Sequence, residues 1–278
     1  LETTPLLSKN NNIISFTNAY SLSTYTIGGV LNLMQKNPFK NEYSLLKLME
    51  QNGFKTFWFS NQGSRKNPIY RISQEANEMY YLHRHSGYYI DSELIFPLKN
   101  ALLSNIDNNL FIVLHTYGSH RNYDARYPKE FKKFTPTCRE SVQVFESDLC
   151  TSKKHLDNSY DNSIFYTDYF LDSIISELKN ENAIMIFISD HGQSLGENGL
   201  YLHASDYVKA PKEQIHIPFI FWASEKFLST KSNKNNYDRL KARRLDIVSQ
   251  KNFFHTIPGC LGFMKNIDSS YNLCRHSK

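Results

Sequence analysis

One stretch constrains the fold more than any other: Ala183-Ile184-Met185-Ile186-Phe187-Ile188, an unbroken apolar run that stops abruptly at Ser189-Asp190-His191-Gly192. A run of this length, rich in Ile and bounded by Asn182 and a polar turn, reads as a strand buried on both faces. In open α/β sheets ligands bind beyond the carboxyl ends of the strands, where the chain turns into a crevice. That position holds a carboxylate beside an imidazole, a pairing of oxygen and nitrogen donors that suits zinc. Alone, Asp190 would read as a helix cap and His191 as a turn residue. Followed by Gly192, Gly196, Gly199 and His203, the pair reads as a metal site.

At 278 residues, 40% of them hydrophobic, the chain can bury one sizeable core and reads as a single domain. No apolar stretch approaches the roughly 20 residues of a membrane helix. The sequence opens at Leu1 without Met or a signal-like segment, as a piece of something longer would. Its net charge of +5 is scattered rather than gathered into a basic tract, so nucleic acid is not an expected partner. The same balance permits anionic lipid headgroups.

Other apolar runs deliver polar residues to a common edge. Phe54 to Phe59 reads as a strand ending at Ser60-Asn61-Gln62-Gly63, where Asn61, Gln62 or Lys66 is placed to hold a phosphate or headgroup. Asn109 to Leu114 reads as a strand ending at His115, with His120 just beyond. Ile13 to Phe16 and Ile217 to Trp222 are further strands. Helical spacing appears over Glu42 to Gln51, Leu94 to Leu103, Ser159 to Lys179 and Asp246 to Ile257, where His255 packs or caps. Ser229 to Asn236 reads as a polar surface loop, and His83-Arg84-His85 as surface residues. Strands alternating with helices imply an α/β fold, a mostly parallel central sheet with helices on both faces.

Ser21, Ser23, Thr24 and Thr26 precede the run Ile27 to Met34. Hydroxyls there are ordinarily N-caps, yet a helix N-terminus also offers free N–H groups and a positive dipole end to a phosphate. One of these hydroxyls is therefore a candidate nucleophile. Four cysteines, Cys138, Cys150, Cys260 and Cys274, allow three pairings; the two local ones each close a short loop in a polar, turn-rich stretch, which suits an oxidising compartment.

The run Ser189 to His203, with Ala210-Pro211-Lys212-Glu213-Gln214 and Ile217 to Trp222, closely resembles the periplasmic catalytic domain of bacterial phosphoethanolamine transferases. These modify lipid A and lipooligosaccharide and belong to the alkaline phosphatase/sulfatase superfamily. The resemblance extends through His115-Thr116-Tyr117-Gly118-Ser119-His120, Tyr127-Pro128-Lys129-Glu130-Phe131 and Phe134-Thr135-Pro136-Thr137-Cys138, from Phe16 to about Trp222. It implies an alkaline phosphatase-like fold, a periplasmic setting on an inner-membrane protein, and the disulfides Cys138–Cys150 and Cys260–Cys274.

The resemblance also implies roles. Thr26 falls on the nucleophilic threonine, with Thr24 as its rival, and the cysteines that often flank it are replaced by Leu22 and Asn32. Thr26, Asp190 and His191 would ligate one zinc ion. His120 and His203 would hold phosphate oxygens, trade protons or bind a second ion; Asn61, Gln62, Lys66 and His115 would contact substrate. The implied reaction moves phosphoethanolamine from phosphatidylethanolamine to lipid A or another envelope glycan through a covalent threonine intermediate. Rival readings are a phosphodiesterase or sulfatase-type hydrolase, though no Cys-x-Pro-x-Arg motif is present, and an inactive headgroup-binding domain. Tetrahedral zinc needs a fourth donor, which in the family is a glutamate ending the first strand. Glu2 does not match that place. The chain is accordingly expected to be one catalytic domain over 1–278, lacking its first strand and a preceding membrane domain.

Overall fold

The computed structural model describes residues 2–38, 40, 43–63, 67–82, 90–140, 150 and 152–275. Its strands, in chain order, are β1 (Ile13–Phe16), β2 (Ala19–Tyr20), β3 (Phe54–Ser60), β4 (Glu78–Tyr81), β5 (Asn109–His115), β6 (Ile184–Ile188), β7 (Ser194–Leu195), β8 (Tyr201–Leu202), β9 (Phe219–Ala223) and β10 (Val248–Ser249). The helices are α1 (Thr26–Met34), α2 (Leu45–Gln51), α3 (Pro68–Ser73), α4 (Ile95–Ser104), α5 (Lys153–Leu178), α6 (Lys212–Ile215), α7 (Glu225–Leu228), α8 (Lys231–Ala242) and α9 (Gln250–Cys260).

The expected α/β architecture is observed, with one difference in the sheet. β3 pairs parallel with β4 and β5, whereas β9 lies between β1 and β6 and runs antiparallel to both. The two trios share one apolar layer. Phe57 and Phe59 of β3, Met185 of β6 and Trp222 of β9 join a single cluster with Leu98 of α4 and Phe170, Leu171 and Ile174 of α5. On the opposite face Trp58, Phe111, Val113, Ile186 and Ile188 pack with Val30 and Leu33 of α1 and Phe254 and Ile257 of α9. Strand side chains alternate between the faces, so an unbroken apolar run is what a sheet covered on both sides demands.

Two local expectations change. The polar stretch after Ser229 is not a loop: Thr230 caps α8, its hydroxyl accepting from the Asn233 N–H at 3.2 Å, and the helix buries only Tyr237 and Leu240. β6 was expected to be buried, yet of its five residues only Met185 is, at 8% exposure. Its edge away from β9 has no strand partner among the described residues. His83-Arg84-His85 lies outside the described residues. His255 packs, stacking on Tyr271 and accepting from the Asp268 N–H.

The long helix α5 carries an inner stripe that is polar rather than apolar. Asn158, Ser159, Asn162 and Ser163 are all buried. The Asn162 side chain accepts from the N–H groups of Lys133 and Phe134, both at 2.8 Å, and donates to the Phe134 carbonyl at 2.9 Å. Ser163 reaches Ser119, and Ser159 reaches the buried Asp124. The irregular segment from Ser119 to Cys138 is thus held to the helix by hydrogen bonds.

Both local disulfides are formed, Cys138–Cys150 and Cys260–Cys274, with Cα separations of 5.3 and 5.2 Å. The second ties the end of α9 to the C-terminal turn and lies in the core, with its cysteines 5% and 3% exposed. Replacing Cys260 and Cys274 by Ala should lower stability to urea by about 2–4 kcal/mol, since a loop of this size constrains the unfolded chain by that much. A loss under about 1 kcal/mol would show that the bridge does not restrain unfolding.

Candidate active site

The site forms where the ends of β5 and β6 meet the N-terminus of α1. Thr26 is the first residue of α1, after an extended Tyr25 that offers no side-chain cap. Its Oγ1 lies 3.3 Å from His191 Nε2, which in turn lies 3.5 Å from Asp190 Oδ2. Donors 2.0–2.1 Å from one tetrahedral zinc ion stand about 3.3–3.4 Å apart, the edge of the tetrahedron. The two spacings about His191 Nε2 are close to such an edge. The tautomer fits too. His191 Nδ1 is 2.8 Å from the Gly192 carbonyl, which can only accept, so Nδ1 carries the proton and the Nε2 lone pair is free.

Several residues bring α1 this close. A Cβ at Gly29 would fall 2.2 Å from the Asp190 carbonyl oxygen, so only glycine lets the first turn of α1 lie against the loop after β6. That carbonyl is held by the Ser21 hydroxyl at 2.6 Å and by Gln250 Nε2 at 2.7 Å, and Gln250 Oε1 accepts from the Leu22 N–H. Gly192 plays a matching part on the other side, where a Cβ would meet the Glu213 carbonyl oxygen at 2.1 Å. Ser21 and Gln250 are fully buried. Sequence reading found Ser21 as a possible cap or candidate nucleophile and missed Gln250, because a single buried amide leaves no periodic signal.

Thr24, the rival nucleophile, is turned away: it is 2% exposed and donates to the Ser205 carbonyl at 2.7 Å. His203 lies against His191, ring centroids 4.2 Å apart, with His120 5.8 Å beyond it. His203 Nδ1 bonds Gln193 Oε1 and His120 Nδ1 bonds the Arg121 carbonyl. All three imidazoles thus spend Nδ1 on an oxygen and direct Nε2 elsewhere. Burial, then the neighbouring imidazoles of His191 and His120, lower His203 to about 4. Leu202 and Ala204, on either side of it, have φ of 67° and 70°, backbone that non-glycine residues adopt at a cost.

The end of β5 forms a separate wall. His115 Nδ1 is 2.9 Å from Ser60 Oγ, and its Nε2 is buried with no hydrogen-bond partner among the described residues. Burial holds this ring near pKa 4. It lines a cavity of about 130 Å³ together with Gln62, Asn67, Tyr81 and Tyr117. Gln62 spans to the Thr116 carbonyl at 2.6 Å. Asn61 does not face the cavity; it is 2% exposed and donates to Asp91. Lys66 lies outside the described residues.

Asp91, absent from the sequence reading, organises this wall. Its carboxylate accepts from Asn61 Nδ2 and from the N–H groups of Tyr117 and Gly118, both at 2.8 Å, so it fixes the loop between His115 and His120. Burial pushes its carboxyl upward against the donors that favour its charged form. Among the described residues no three His, Cys, Asp or Glu side chains cluster as a complete metal cage.

Known proteins are similar to this chain. The sulfatase family model matches residues 1–263. A phosphoethanolamine transferase EptA from Helicobacter pylori is 34% identical over 99% of this chain, and a Kdo(2)-lipid A phosphoethanolamine 7''-transferase from Salmonella typhimurium is 30% identical over 98%. The chain spans about half the length of these relatives, 53% and 50%. The solved C-terminal periplasmic domain of phosphoethanolamine transferase EptC from Campylobacter jejuni is 30% identical, with a TM-score of 0.82 over 99% of this chain and 86% of that one. The chain therefore belongs to the sulfatase family, in the group formed by the periplasmic domains of phosphoethanolamine transferases.

Proposed function

We propose that the chain is the periplasmic catalytic domain of an inner-membrane phosphoethanolamine transferase, and that it works with zinc. The observation that carries this reading is the convergence of Thr26 Oγ1, His191 Nε2 and Asp190 Oδ2 at ligand spacing, at a helix N-terminus. Zinc held by these three side chains would supply a Lewis acid that lowers the pKa of the Thr26 hydroxyl. A fourth donor, the glutamate expected at the end of a preceding strand, would complete the set.

In the first step Thr26 Oγ forms a bond to the phosphorus of phosphatidylethanolamine as the bond from phosphorus to the diacylglycerol oxygen breaks. The N–H groups of the first turn of α1 face the anionic phosphoryl group there. The free Nε2 of His203 or His120 takes the proton released from the Thr26 hydroxyl and hands it to the departing oxygen, and the same relay returns a proton to Thr26 in the second step. In the second step an oxygen of lipid A or a related envelope glycolipid attacks the same phosphorus, and Thr26 is restored. His115 and Gln62, in the cavity beside this centre, are placed to hold the headgroup.

Full-length enzyme incubated with phosphatidylethanolamine should carry phosphoethanolamine on Thr26 by tandem mass spectrometry. Thr26→Ala should abolish both adduct and transfer, and Thr26→Ser should keep part of each. An adduct on Thr24 would sink the assignment.

Asp190→Ala and His191→Ala should each weaken zinc binding roughly 100-fold or more, since even outer partners of a ligand cost 10–100-fold. Competition titration against a chelating dye reads this directly, and unchanged affinity in both variants rules out the proposed site.

His115 also sets an acid limit on the fold. Its pKa is about 4 when folded and about 6.5 when unfolded, so the unfolded chain binds the extra proton and stability falls as pH drops from about 6.5 towards 4. Between pH 7 and pH 5 this amounts to about 2 kcal/mol. In His115→Gln the difference in unfolding free energy between those two pH values should shrink by about that much; an unaltered difference would show that His115 is not held neutral.

A further inference from the structure

Lys and Arg residues are spread along the whole chain, but their excess over Asp and Glu is not. Residues 231–251, which include α8 and the turn into β10, hold seven Lys and Arg against two Asp, whereas the other 257 residues hold 25 basic and 25 acidic ones. The net charge of +5 is therefore carried by one surface segment. Both of its acids pair inside it, Asp238 with Lys234 and Asp246 with Arg243.

Two apolar side chains stand at the end of this segment. Leu245 is 61% exposed and Ile247 82%, whereas Val248, the next residue, is buried in the core. The turn that carries them is fixed by its backbone. The Arg244 carbonyl accepts from the Thr17 N–H, the Leu245 carbonyl accepts from Asn18 Nδ2, and the Val248 N–H donates to the Asn18 carbonyl. With the chain pinned before and after Ile247, both side chains are held outward. A single exposed Leu or Ile is ordinary; two on one fixed turn, amid the excess charge, mark a surface that meets something.

That turn sits at the same end of the sheet as the candidate site. Phe16 of β1 and Ile188 of β6 both pair with Phe219, so Thr17 and Asn18 leave the sheet where Asp190 and His191 do. Gln250, just after the turn, holds the Asp190 carbonyl. On the other flank of Thr26, Val208 is 91% exposed. Its loop is tied to the same end by the Tyr207 hydroxyl, which donates to the Ser21 carbonyl, and by the Ala204 N–H, which donates to the Thr24 carbonyl. Exposed apolar side chains thus flank the site on both sides.

We propose that this face docks on the surface of an anionic phospholipid bilayer, with Leu245 and Ile247 entering the headgroup layer and the surrounding bases lying against lipid phosphates. Interfacial binding needs both ingredients: charge draws the surface in from a distance, and shallow apolar burial holds it at contact. Long Lys and Arg stems lie along the acyl boundary while their charges stay among the phosphates. A bilayer is favoured over an acidic protein because the flanked site is the one proposed to receive a lipid, and in that respect the inference rests on the reading above. Docked in this way, the domain holds the Thr26 hydroxyl close to the headgroups, so a lipid can reach it without leaving the bilayer.

Full-length enzyme in nanodiscs of phosphatidylethanolamine and phosphatidylglycerol tests this. A bimane label on Ile247→Cys should be quenched by lipids carrying a nitroxide near the headgroup, at least about threefold more than a label on Ile106→Cys. Ile106 is equally exposed, at 82%, but precedes β5 and so lies at the opposite end of the sheet. Replacing phosphatidylglycerol by phosphatidylcholine, or combining Lys241→Glu with Arg244→Glu, should lower the quenching at Ile247 at least about twofold, because the attraction is between charges. Equal quenching at the two positions, none at Ile247, or quenching indifferent to both changes of charge would overturn the proposal. So would shielding of the Ile247 label from aqueous iodide without quenching by lipid, which would assign the face to a protein. The labels report position and not turnover, so a docked enzyme that forms no adduct on Thr26 would count against the reaction and leave the docking standing.

Discussion

Everything at the centre depends on the contact between the first turn of α1 and the peptide of Asp190. Gly29 makes it sterically possible, and Ser21 and Gln250 hold the Asp190 carbonyl so that its side chain turns the other way. The approach sets the spacing of Thr26, Asp190 and His191, and it aims the dipole of α1 at the same point. Thr26 and Gly29 come from α1, Asp190 and His191 from the end of β6 and Gln250 from α9, so the site exists only when the sheet, α1 and α9 are all in place.

Around that contact the imidazoles are oriented by their unreactive nitrogen. His191, His203 and His120 each tie Nδ1 to an oxygen, and two of the three oxygens belong to the backbone. Which tautomer each ring adopts is thereby a property of the fold. The third oxygen belongs to Gln193, whose own amide is oriented by donation to the Tyr123 hydroxyl at 2.7 Å. Asp91 does the equivalent work for the loop between His115 and His120, from beneath.

Much of this was readable from the chain. The apolar runs announced β3, β5, β6 and β9, and the residues at their ends announced Asp190, His191 and His115, because strands and strand ends leave a pattern. Thr24 and Thr26 precede the same helix and look alike in the sequence, whereas in the fold Thr24 donates to the Ser205 carbonyl and Thr26 Oγ1 lies beside His191. α8 was hidden by its polar composition, which buries two side chains and is otherwise supported by its cap. Asn61, expected to contact substrate, is buried and donates to Asp91. Asp91 and Gln250 were invisible because one buried polar residue has no period, and the antiparallel course of β9 depends on which strands become neighbours.

The polar stripe of α5 separates two kinds of constraint on the same surface. Asn162 bonds the backbone N–H and C=O groups of Lys133 and Phe134, and Asn158 bonds the backbone of Pro136. Any residue at positions 133 and 134 other than proline supplies those groups equally well. Side chains along the clamped segment are therefore free to drift and to adapt their outer surface to new neighbours, while its path past His120 stays the same. The intolerance to change is concentrated in a few small polar residues of the helix.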